Sequence, residues 1–556
     1  MSEEYLKIVF SPETKIWKSV NYPYEDLTKI PLGEQFLKTM RSIDSNKVID
    51  YFYDKDLSKT AKEVYEQSIV IALNLRRMGI KKGDAIALYT MNNEWVSVLT
   101  LGCILVGAVP YFCEVHLDHV SQAQLFDIVH PSIVFYEEKY LSNIEASLEC
   151  VHLDKLPQLL AIDSRQLTNI HDDLLKPPQA NIDFSNFESV KIHNTQEEVG
   201  ILALTSGSTG IPKVVQITHA LLSHGICIWW DNELNYEPLT ALNSSAVVFS
   251  FSPLRWISQV AVLLQSMLFG LKRVSSCGAP TGKYGFELLR NSDVTHIFVA
   301  PSIFYEIILQ MDPNDVASLA SLKLIQLGGE PPSKIVLEMA RRLAVNARTF
   351  QSYGMTEMSS CICIDELING GKPLPGYELQ ILDDDCQPLG PNQAGQIAVR
   401  PPFPLKGYLA IDNKPYYNKQ GFFINGDYGL MDDQHKLHIL ARYKDLIRAN
   451  GELIIPNSLE YSLINLPEIY VARLASYKVT PEDVNEIGSL FVVLNSNVSL
   501  THEEMSRKIR DTLSVELNPK QLAIIQHIHY VDSVPLTTCG KIDRVALKKL
   551  ALSKQN

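Results

Sequence analysis

The segment LALTSGSTGIPK, Leu202–Lys213, joins an apolar run to a loop of small and polar residues. The apolar run begins at Gly200 and ends at Leu204, which predicts a buried strand that leads directly into a flexible loop. Glycines allow backbone N–H groups to approach an anion closely, hydroxyl groups add hydrogen-bond donors, and Lys213 adds a positive charge. The sequence therefore predicts a phosphate-binding loop at Thr205–Lys213. We refer to it as the central loop.

Other nucleotide-binding loops fit this chain less well. A Walker loop requires Gly-Lys-Ser/Thr at the start of a helix, whereas here Pro212 precedes Lys213. The segment Cys277–Tyr284, CGAPTGKY, lacks the first Gly and the final Ser/Thr of that motif, which favours a surface turn. No GxGxxG sequence follows a predicted strand, which disfavours a dinucleotide-dependent dehydrogenase. A purely structural loop remains an alternative, but six consecutive Gly, Ser or Thr residues disfavour it.

The composition indicates a globular protein and disfavours some functions. The chain has 556 residues, 46% of them hydrophobic and 20% charged, which is typical of a globular protein with several packed units. The net charge of −13 and the lack of a long basic run disfavour nucleic-acid binding. The nine cysteines form no CxxC motif, which indicates a reducing compartment.

One apolar run, Trp95–Phe112, approaches the length of a membrane span. It contains two glycines and Pro110, so we interpret it as a buried helix that leads into a strand. The segment Met1–Tyr5 is acidic and polar and does not resemble a signal peptide. The sequence therefore predicts no transmembrane segment.

Helical and strand patterns alternate on both sides of the central loop. Residues 62–78 form an amphipathic helix pattern, and buried strands are predicted at 85–89, 108–113 and 246–251. This alternation predicts an α/β fold. Residues 1–60 show weak periodicity, and we expect them to wrap the surface.

The C-terminal half changes character twice. Residues 376–440 have short strands and turns rich in Asp, Gly and Pro, which predicts a β-rich subdomain. Residues 446–556 have the size and pattern of a small α+β domain. We therefore predict an N-terminal domain at 1–441, a boundary at 442–445 and a C-terminal domain at 446–556.

The central loop, Thr205–Lys213, resembles the signature loop of the adenylate-forming, or AMP-binding, enzymes. That superfamily includes acyl-CoA synthetases, peptide-synthetase adenylation domains and firefly-type luciferases. Four further motifs occur in the order typical of the family: QSYGMTE at Gln351–Glu357, NGD at Asn425–Asp427, RYKDLIR at Arg442–Arg448, and PLTTCGKIDR at Pro535–Arg544. The chain most resembles luciferase-like and 4-coumarate–CoA-ligase-like acyl-CoA synthetases over residues 60–550. The family resemblance implies two α/β sheet subdomains.

This resemblance implies a role for each matching residue. Lys541 would be the catalytic lysine, and Glu357 would hold Mg²⁺, for which a carboxylate is a suitable ligand. Thr356 would contact phosphate, and Arg442 would contact ribose or phosphate. Further residues implied in nucleotide binding are Thr205, Ser206, Gly207, Ser208, Thr209, Gly210, Lys213, Gly329, Glu330, Gln351, Tyr353, Asp427, Lys444 and Arg448.

The implied reaction has two steps and uses ATP, Mg²⁺ and coenzyme A. A carboxylate attacks the α-phosphate of ATP to give acyl-AMP and pyrophosphate, and CoA then displaces AMP. The resemblance also implies that a small, mobile α+β C-terminal domain rotates about Lys444 between the steps, so that Lys541 serves only the first. The expected partners are a small carboxylic acid and CoA.

The substrate is less well defined. Trp256 stands where the family places an aromatic gate, and Ser360, Cys361, Trp229 and Trp230 are further candidates for the acid pocket. No Asp occurs in Val247–Val260 to pair with an amino group, which disfavours an amino-acid substrate. These features are compatible with a fatty acid or an aryl-alkenoic acid.

Two other functions remain open. An acyl-AMP ligase or a luciferase-like enzyme would share the first step but not the second. An impaired ligand-binding homologue would explain the departures from the family pattern at Asn425, Arg448 and Asn450. The pair His527 and His529 suggests a metal site, but no third ligand is evident, which favours a solvated strand face. The expected location is cytoplasmic or peroxisomal, although the last three residues are not SKL.

Overall fold

The computed structural model describes residues 7–20, 24–162, 174–178, 181–205, 211–230, 245–278, 281–311, 319–366, 370–480, 482–495, 498–535 and 542–554. The side chains of Trp229, Trp230 and Lys334 are outside this description. The predicted site residues Ser206, Gly207, Ser208, Thr209, Gly210 and Lys541 also lie outside the described residues.

Strands and helices alternate through most of the described chain. The strands are β1 Ile8–Ser11, β2 Ile16–Ser19, β3 Val48–Phe52, β4 Leu57–Thr60, β5 Ala85–Tyr89, β6 Val109–Phe112, β7 Ile133–Tyr136, β8 Gln158–Ala161, β9 Val199–Leu204, β10 Val214–Thr218, β11 Val247–Ser250, β12 Lys272–Ser275, β13 His296–Val299, β14 Leu324–Gly328, β15 Arg348–Met355, β16 Ser360–Asp365, β17 Gly370–Pro373, β18 Glu378–Leu382, β19 Gly395–Arg400, β20 Phe423–Met431, β21 Leu437–Arg442, β22 Ile447–Ala449, β23 Glu452–Ile454, β24 Ile469–Tyr477, β25 Ile487–Leu494 and β26 Ile525–Tyr530. The helices are α1 Glu25–Thr28, α2 Leu32–Met40, α3 Ala61–Arg77, α4 Val96–Val106, α5 His119–Val129, α6 Leu141–Leu148, α7 His219–Trp230, α8 Ile257–Phe269, α9 Gly282–Arg290, α10 Pro301–Ile308, α11 Lys334–Leu343, α12 Pro456–Ile464, α13 His502–Glu516, α14 Pro519–Ile524 and α15 Arg544–Ser553.

A six-stranded sheet carries the predicted phosphate-binding loop. Its strand order is β10-β9-β6-β5-β7-β8, and all pairs are parallel except β9 with β10. Every residue of β5, β6 and β7 is buried, as expected for parallel strands that are covered on both faces. The loop joins β9 to β10, so it follows the carboxyl end of β9, where open α/β sheets bind ligands.

A fifteen-stranded sheet contains the remaining strands before β22. The neighbours β3, β12, β11, β13, β14 and β15 are parallel, and β16 and β17 continue the sheet in antiparallel pairing. Antiparallel β18–β21, with β1 and β2, complete the far end, which includes the predicted β-rich region. The predicted α/β class is therefore confirmed.

The apolar run Trp95–Phe112 forms α4 and β6. Every residue of α4 is buried, and the helix ends at Gly107, whose φ of 77° is a left-handed value that glycine adopts readily. This agrees with the predicted buried helix that leads into a strand. Among the residues that the structure describes, no helix is both long enough and apolar enough to cross a membrane.

The expectation that residues 1–60 wrap the surface is wrong for the described part of that segment. Strand β2 pairs with β18, and β3 pairs with β12, so both are built into the large sheet. Trp17 and Phe36 are completely buried. The elements are short, and their burial comes from partners that are distant in sequence, which a local periodicity cannot reveal.

Residues after 446 pack around their own apolar cluster, which includes Leu459, Leu474 and Ile509. Strands β24, β25 and β26 form a separate sheet. Arg544, at the start of α15, pairs with Glu460 at 3.0 Å and with Asp445 at 3.3 Å. This packing is compatible with the predicted domains at 1–441 and 446–556 with a hinge at 442–445, and those limits stay a prediction.

Candidate active site

A cavity of about 510 Å³ lies where loops from both large sheets meet residues 442–444. The predicted site residues that line it are Thr205, Lys213, Trp256, Gly329, Thr356, Glu357, Ser360, Arg442 and Lys444. The predicted residues that do not line it are Glu330, Gln351, Tyr353, Asp427 and Arg448. The structure thus brings together residues of the central loop and of the motifs at Gln351–Glu357, Asn425–Asp427 and Arg442–Arg448, whereas no described residue of the Pro535–Arg544 motif lines the cavity.

Two clusters of cavity-lining residues differ in their contacts. The Glu357 cluster comprises Thr205, Lys213, Thr356, Glu357, Tyr408, Tyr416, Asn425 and Arg442. The Trp256 cluster comprises Arg255, Trp256, Ser258, Gly329, Ser360 and Cys361.

The ends of the predicted phosphate-binding loop are held together by two hydrogen bonds. The Thr205 backbone N–H donates to the Lys213 carbonyl at 3.0 Å, and the Lys213 N–H donates to Thr205 Oγ1 at 2.9 Å. The first bond extends the antiparallel pairing of β9 with β10 by one position, and the second adds a side-chain contact. They fix where the loop leaves and re-enters the sheet.

The ammonium group of Lys213 lies between two tyrosine rings. Its Nζ is 4.6 Å from the ring centre of Tyr408 and 4.5 Å from that of Tyr416. It also donates a hydrogen bond to the Tyr416 hydroxyl at 3.0 Å. The cation is therefore held by cation–π attraction and one hydrogen bond, without an ion-pair partner among the described residues.

Glu357 is a buried carboxylate in the cavity wall, and burial raises its pKa above the ordinary range. The Tyr408 hydroxyl donates to Glu357 Oε1. The neighbouring Thr356 hydroxyl donates to the Leu204 carbonyl at 3.3 Å, which ties this turn to the end of β9.

Asp427 lies directly behind the cavity wall and is almost completely buried. Arg442 Nε contacts Asp427 Oδ1 at 2.9 Å, and the Tyr353 hydroxyl donates to Asp427 Oδ2. The charge of Asp427 raises the pKa of Arg442. Both carboxylate oxygens thus have partners, and Arg442 is oriented at the edge of the cavity.

The other predicted nucleotide-binding residues have different surroundings. Lys444 lines the cavity in the short 3₁₀ turn Tyr443–Asp445, whereas Arg448 lies 3.7 Å from Asp384. Glu330 accepts the Ser302 N–H at 2.8 Å, at the start of α10. Gln351 is buried within β15.

Trp256 precedes α8 and packs against the Gly328–Gly329 turn. A Cβ built on Gly329 would lie 3.4 Å from Trp256 Cζ3, and Gly329 has a φ of 89°. Any larger residue there would therefore be strained. Ser360 is buried, and its hydroxyl donates to the Gly225 carbonyl at 3.0 Å. The buried Cys361 Sγ accepts a hydrogen bond from Gln326.

His527 and His529, considered above as metal ligands, have no third ligand beside them among the described residues. His527 and His529 lie on β26 with their ring centres 5.9 Å apart. The described segments contain no group of three His, Cys, Asp or Glu residues suited to a metal ion.

A family model described as "AMP-binding enzyme" matches residues 41–409, which is more than half of the chain. The chain belongs to the AMP-binding enzyme family. The predicted resemblance to adenylate-forming enzymes is thereby confirmed.

Curated relatives and solved structures agree with this family. The chain is 25% identical over 516 residues to a 2-succinylbenzoate–CoA ligase of Geobacillus sp. (strain WCH70), covering 91% of this chain and 95% of that protein. It is 26% identical over 542 residues to 4-coumarate-CoA ligase 1 of Narcissus pseudonarcissus, covering 90% of each chain. The structure of a benzoate CoA ligase from Burkholderia xenovorans LB400 superposes with a TM-score of 0.77 at 19% identity, covering 93% of this chain and all of that one.

Each departure from the family pattern has a structural role in this AMP-binding enzyme. The Asn425 amide donates to the Tyr353 hydroxyl at 2.7 Å, and its oxygen accepts the Asp427 N–H at 2.9 Å. Asn450 and Gly451 have φ values of 54° and 76° and form the two-residue turn between β22 and β23. Asn-Gly is a preferred sequence for such a turn. Arg448 stacks on Tyr443, with its guanidinium carbon 4.7 Å from the ring centre.

Sequence reasoning missed Tyr408, Tyr416 and the cavity-facing role of Arg255. Tyr408 lies in the β-rich region, directly after Lys406–Gly407. It belongs to none of the motifs that identified the other site residues. Arg255 adjoins Trp256 in the sequence, but its ion-pair partner, Glu114, lies far away in sequence. Only the folded arrangement shows these pairs.

Proposed function

We propose that this AMP-binding enzyme activates an aryl or aryl-alkenoic acid as an acyl-AMP and then transfers the acyl group to CoA. Its family and its CoA-ligase relatives support an AMP-forming acid–thiol ligase that uses ATP, Mg²⁺ and CoA. The partners are accordingly a small carboxylic acid and CoA. The predicted alternative, a fatty acid, receives no specific support from these relatives, whose names refer to aromatic acids.

The observation that carries this proposal is one cavity lined by both the Glu357 cluster and the Trp256 cluster. In the Glu357 cluster, the carboxylate of Glu357 lines the cavity, which suits a hard cation. Mg²⁺, when bound, would offset the negative charge of phosphates. Lys213 and Arg442 would add positive charge at the same cluster.

The chain's own residues hold these charges in place. Asp427 orients Arg442, and Tyr408 orients Glu357, so neither group needs to reorganise when a charged ligand arrives. Preorganised charges of this kind stabilise a developing transition state more effectively than mobile ones. The sequence places Lys541 as the residue that would bridge the acid carboxylate and the α-phosphate.

The Trp256 cluster favours a compact aromatic acid over a fatty acid. Trp256 offers a flat apolar surface, but Arg255, Ser258 and Ser360 place polar groups beside it. A long alkyl chain would cover these groups without supplying hydrogen bonds, which is energetically unfavourable. An aromatic acid can stack on Trp256 and still leave polar contacts in place.

The test is a panel of acids assayed for pyrophosphate release with and without CoA, with acyl-CoA measured by mass. The panel contains 4-coumarate, cinnamate, benzoate, hexanoate and palmitate. We expect the aryl acids to release pyrophosphate and to form acyl-CoA at least about tenfold faster than palmitate, because the alkyl chain would cover the polar groups beside Trp256 without supplying hydrogen bonds. Preference for palmitate would contradict the substrate assignment.

Two other outcomes identify the alternative functions. Pyrophosphate release without acyl-CoA indicates a different acyl acceptor, and ATP binding without any release indicates an impaired homologue. Lys541→Ala is the control: it should abolish pyrophosphate release but retain thioester formation from supplied acyl-AMP. Equal loss of both activities would contradict the assignment of Lys541 to the first step.

A further inference from the structure

Arg255 is the buried cation of the Trp256 cluster, and its ion pair joins the two large sheets. It lies in the loop between β11 and α8, whereas Glu114 follows β6 of the six-stranded sheet. Arg255 Nε contacts Glu114 Oε2, and both side chains are only 6% exposed. The other oxygen of Glu114, Oε1, accepts the His116 backbone N–H at 3.2 Å.

The Arg255 guanidinium keeps two donor groups that the protein does not use. Neither terminal Nη donates a hydrogen bond to a described residue, although the side chain lines the cavity beside Trp256. The guanidinium carbon lies 5.8 Å from the centre of a Trp256 ring. Donors that border a cavity can bond to an oxygen of a bound ligand, and a hydrogen bond to a charged group is stronger than one between neutral groups, so this site favours a cavity ligand that supplies an acceptor.

The charge of the pair determines which acceptor fits. Glu114 already neutralises Arg255, so a ligand carboxylate would place two negative charges beside one positive charge in a buried site. Burying such an excess charge is unfavourable. A neutral oxygen would accept the free N–H groups and leave the ion pair balanced.

The surrounding hydroxyl groups support a polar but uncharged environment. Ser258, which lines the cavity, donates to Ser252 Oγ at 3.0 Å, and Ser250 donates to the same oxygen at 2.9 Å. Asn92 donates to the Ser252 carbonyl at 3.2 Å. These contacts fix the loop that carries Arg255, so its donors have a defined position.

We propose that Arg255 is a specificity-determining residue that selects acids with a neutral hydrogen-bond acceptor remote from the reacting carboxylate. The acceptor is an ether, hydroxyl or carbonyl oxygen on the aromatic ring. This inference rests on the proposed function, because it assigns the acid to the Trp256 cluster. Glu114 sets the selectivity by balancing the charge of Arg255.

The test compares cinnamate, 4-methoxycinnamate and 4-carboxycinnamate, which differ only at the ring position opposite the acrylate. Affinity is measured by quenching of tryptophan fluorescence, and turnover is measured as kcat/KM for pyrophosphate release. We expect the methoxy acid to exceed cinnamate by about tenfold, in line with a hydrogen bond to a charged donor. The dicarboxylate should be the poorest of the three.

Glu114→Gln sharpens the test because it keeps the size of the side chain and removes its charge. Arg255 then has an uncompensated positive charge, and we expect the preference for 4-carboxycinnamate over 4-methoxycinnamate to rise by about tenfold. The matched control is Asp50→Asn. Asp50 forms a buried ion pair with Arg273 at 3.0 Å and does not line the cavity, so this variant should leave both preferences unchanged.

Loss of affinity that is equal for all three acids in Glu114→Gln would overturn the assignment, as would identical effects of the two variants. Equal use of cinnamate and 4-methoxycinnamate by the unmodified protein would also overturn it. If the acids bind with the expected order but release no pyrophosphate, the proposed function fails and this inference stands. If palmitate is preferred and no cinnamate binds, both fail.

Discussion

The Glu357 cluster and the Trp256 cluster line the same cavity but are held in place differently. In the Glu357 cluster, each charged group is held by a neighbouring side chain: Tyr408 donates to Glu357, Tyr416 accepts from Lys213, and Asp427 pairs with Arg442. In the Trp256 cluster, the charge of Arg255 is balanced from the other sheet, by Glu114.

This difference separates two tasks. The Glu357 cluster presents charges that are already ordered, as a site for phosphates and a metal ion requires. The Trp256 cluster presents a balanced ion pair, a flat ring and donors without acceptors, which suits discrimination among organic acids. Changes in the first cluster should therefore affect ATP chemistry with every acid, and changes in the second should affect the choice of acid.

The largest effect is expected for Glu357→Gln. The amide keeps the acceptor for Tyr408 but loses the negative charge, so we expect adenylate formation to fall by about 100-fold or more for every acid. The Mg²⁺ concentration needed for half-maximal rate should also rise. Pyrophosphate release measured across a Mg²⁺ titration gives both values.

Glu330→Gln is the matched control for this change. Glu330 lies in the neighbouring Gly-Gly-Glu-Pro turn but accepts the Ser302 N–H outside the cavity lining, so its Mg²⁺ titration should match that of the unmodified protein. An unchanged titration in Glu357→Gln would remove Glu357 from the metal site.

An intermediate effect is expected from pH, again through Glu357. Mg²⁺ binds the ionised carboxylate, and burial raises the pKa of Glu357, so protons compete with the metal at a higher pH than for an ordinary glutamate. Apparent Mg²⁺ affinity should rise with pH up to that pKa and then level off. Below it, affinity should fall by up to about tenfold per pH unit.

The pH effect is isolated by measuring MgATP binding calorimetrically in the unmodified protein and in Glu357→Gln. Protonation of ATP affects both proteins alike, so the difference between the two curves reports on Glu357. Parallel curves over the whole pH range would contradict the assignment.

The smallest effect is expected for Ser258→Ala, in the other cluster. Loss of the hydroxyl removes one hydrogen bond in the loop that carries Arg255, so we expect kcat/KM for 4-methoxycinnamate to fall by about fivefold. The KM for ATP should not change. Ser266→Ala on the same helix removes a buried hydroxyl that does not line the cavity and should affect neither constant. If Ser258→Ala changed the KM for ATP as much as kcat/KM for 4-methoxycinnamate, the two clusters would not have separate tasks.

The sequence predicted most of the Glu357 cluster because its residues belong to short motifs. Thr205 follows the carboxyl end of β9 in the six-stranded sheet, and Thr356 and Glu357 follow β15 in the fifteen-stranded sheet. The motifs identify both loops, and the packing of the two sheets brings them together, as the hydrogen bond from Thr356 to the Leu204 carbonyl shows. Asp427 is instead found behind the wall, where it holds Arg442 and Tyr353. The motif identified Asp427, but not these contacts.

The Trp256 cluster could be predicted only in part. Trp256 and Ser360 were found from their positions, but the pairing of Arg255 with Glu114 depends on how the two sheets pack. The same limit applies to residues 1–60, where β2 and β3 are buried by strands more than two hundred positions away. Local patterns identify elements, whereas contacts between distant elements require the fold.

The contacts of Arg544 connect several elements of the C-terminal region to one another. This side chain ties α15 to Asp445, to Glu460 in α12 and, through a 3.0 Å hydrogen bond, to the Leu474 carbonyl in β24. Lys541 precedes Arg544 by three positions, and Lys444 precedes Asp445 by one. If the chain turns at Lys444, as the predicted hinge requires, these contacts would make Asp445, α12, β24 and α15 turn together as a single lever arm.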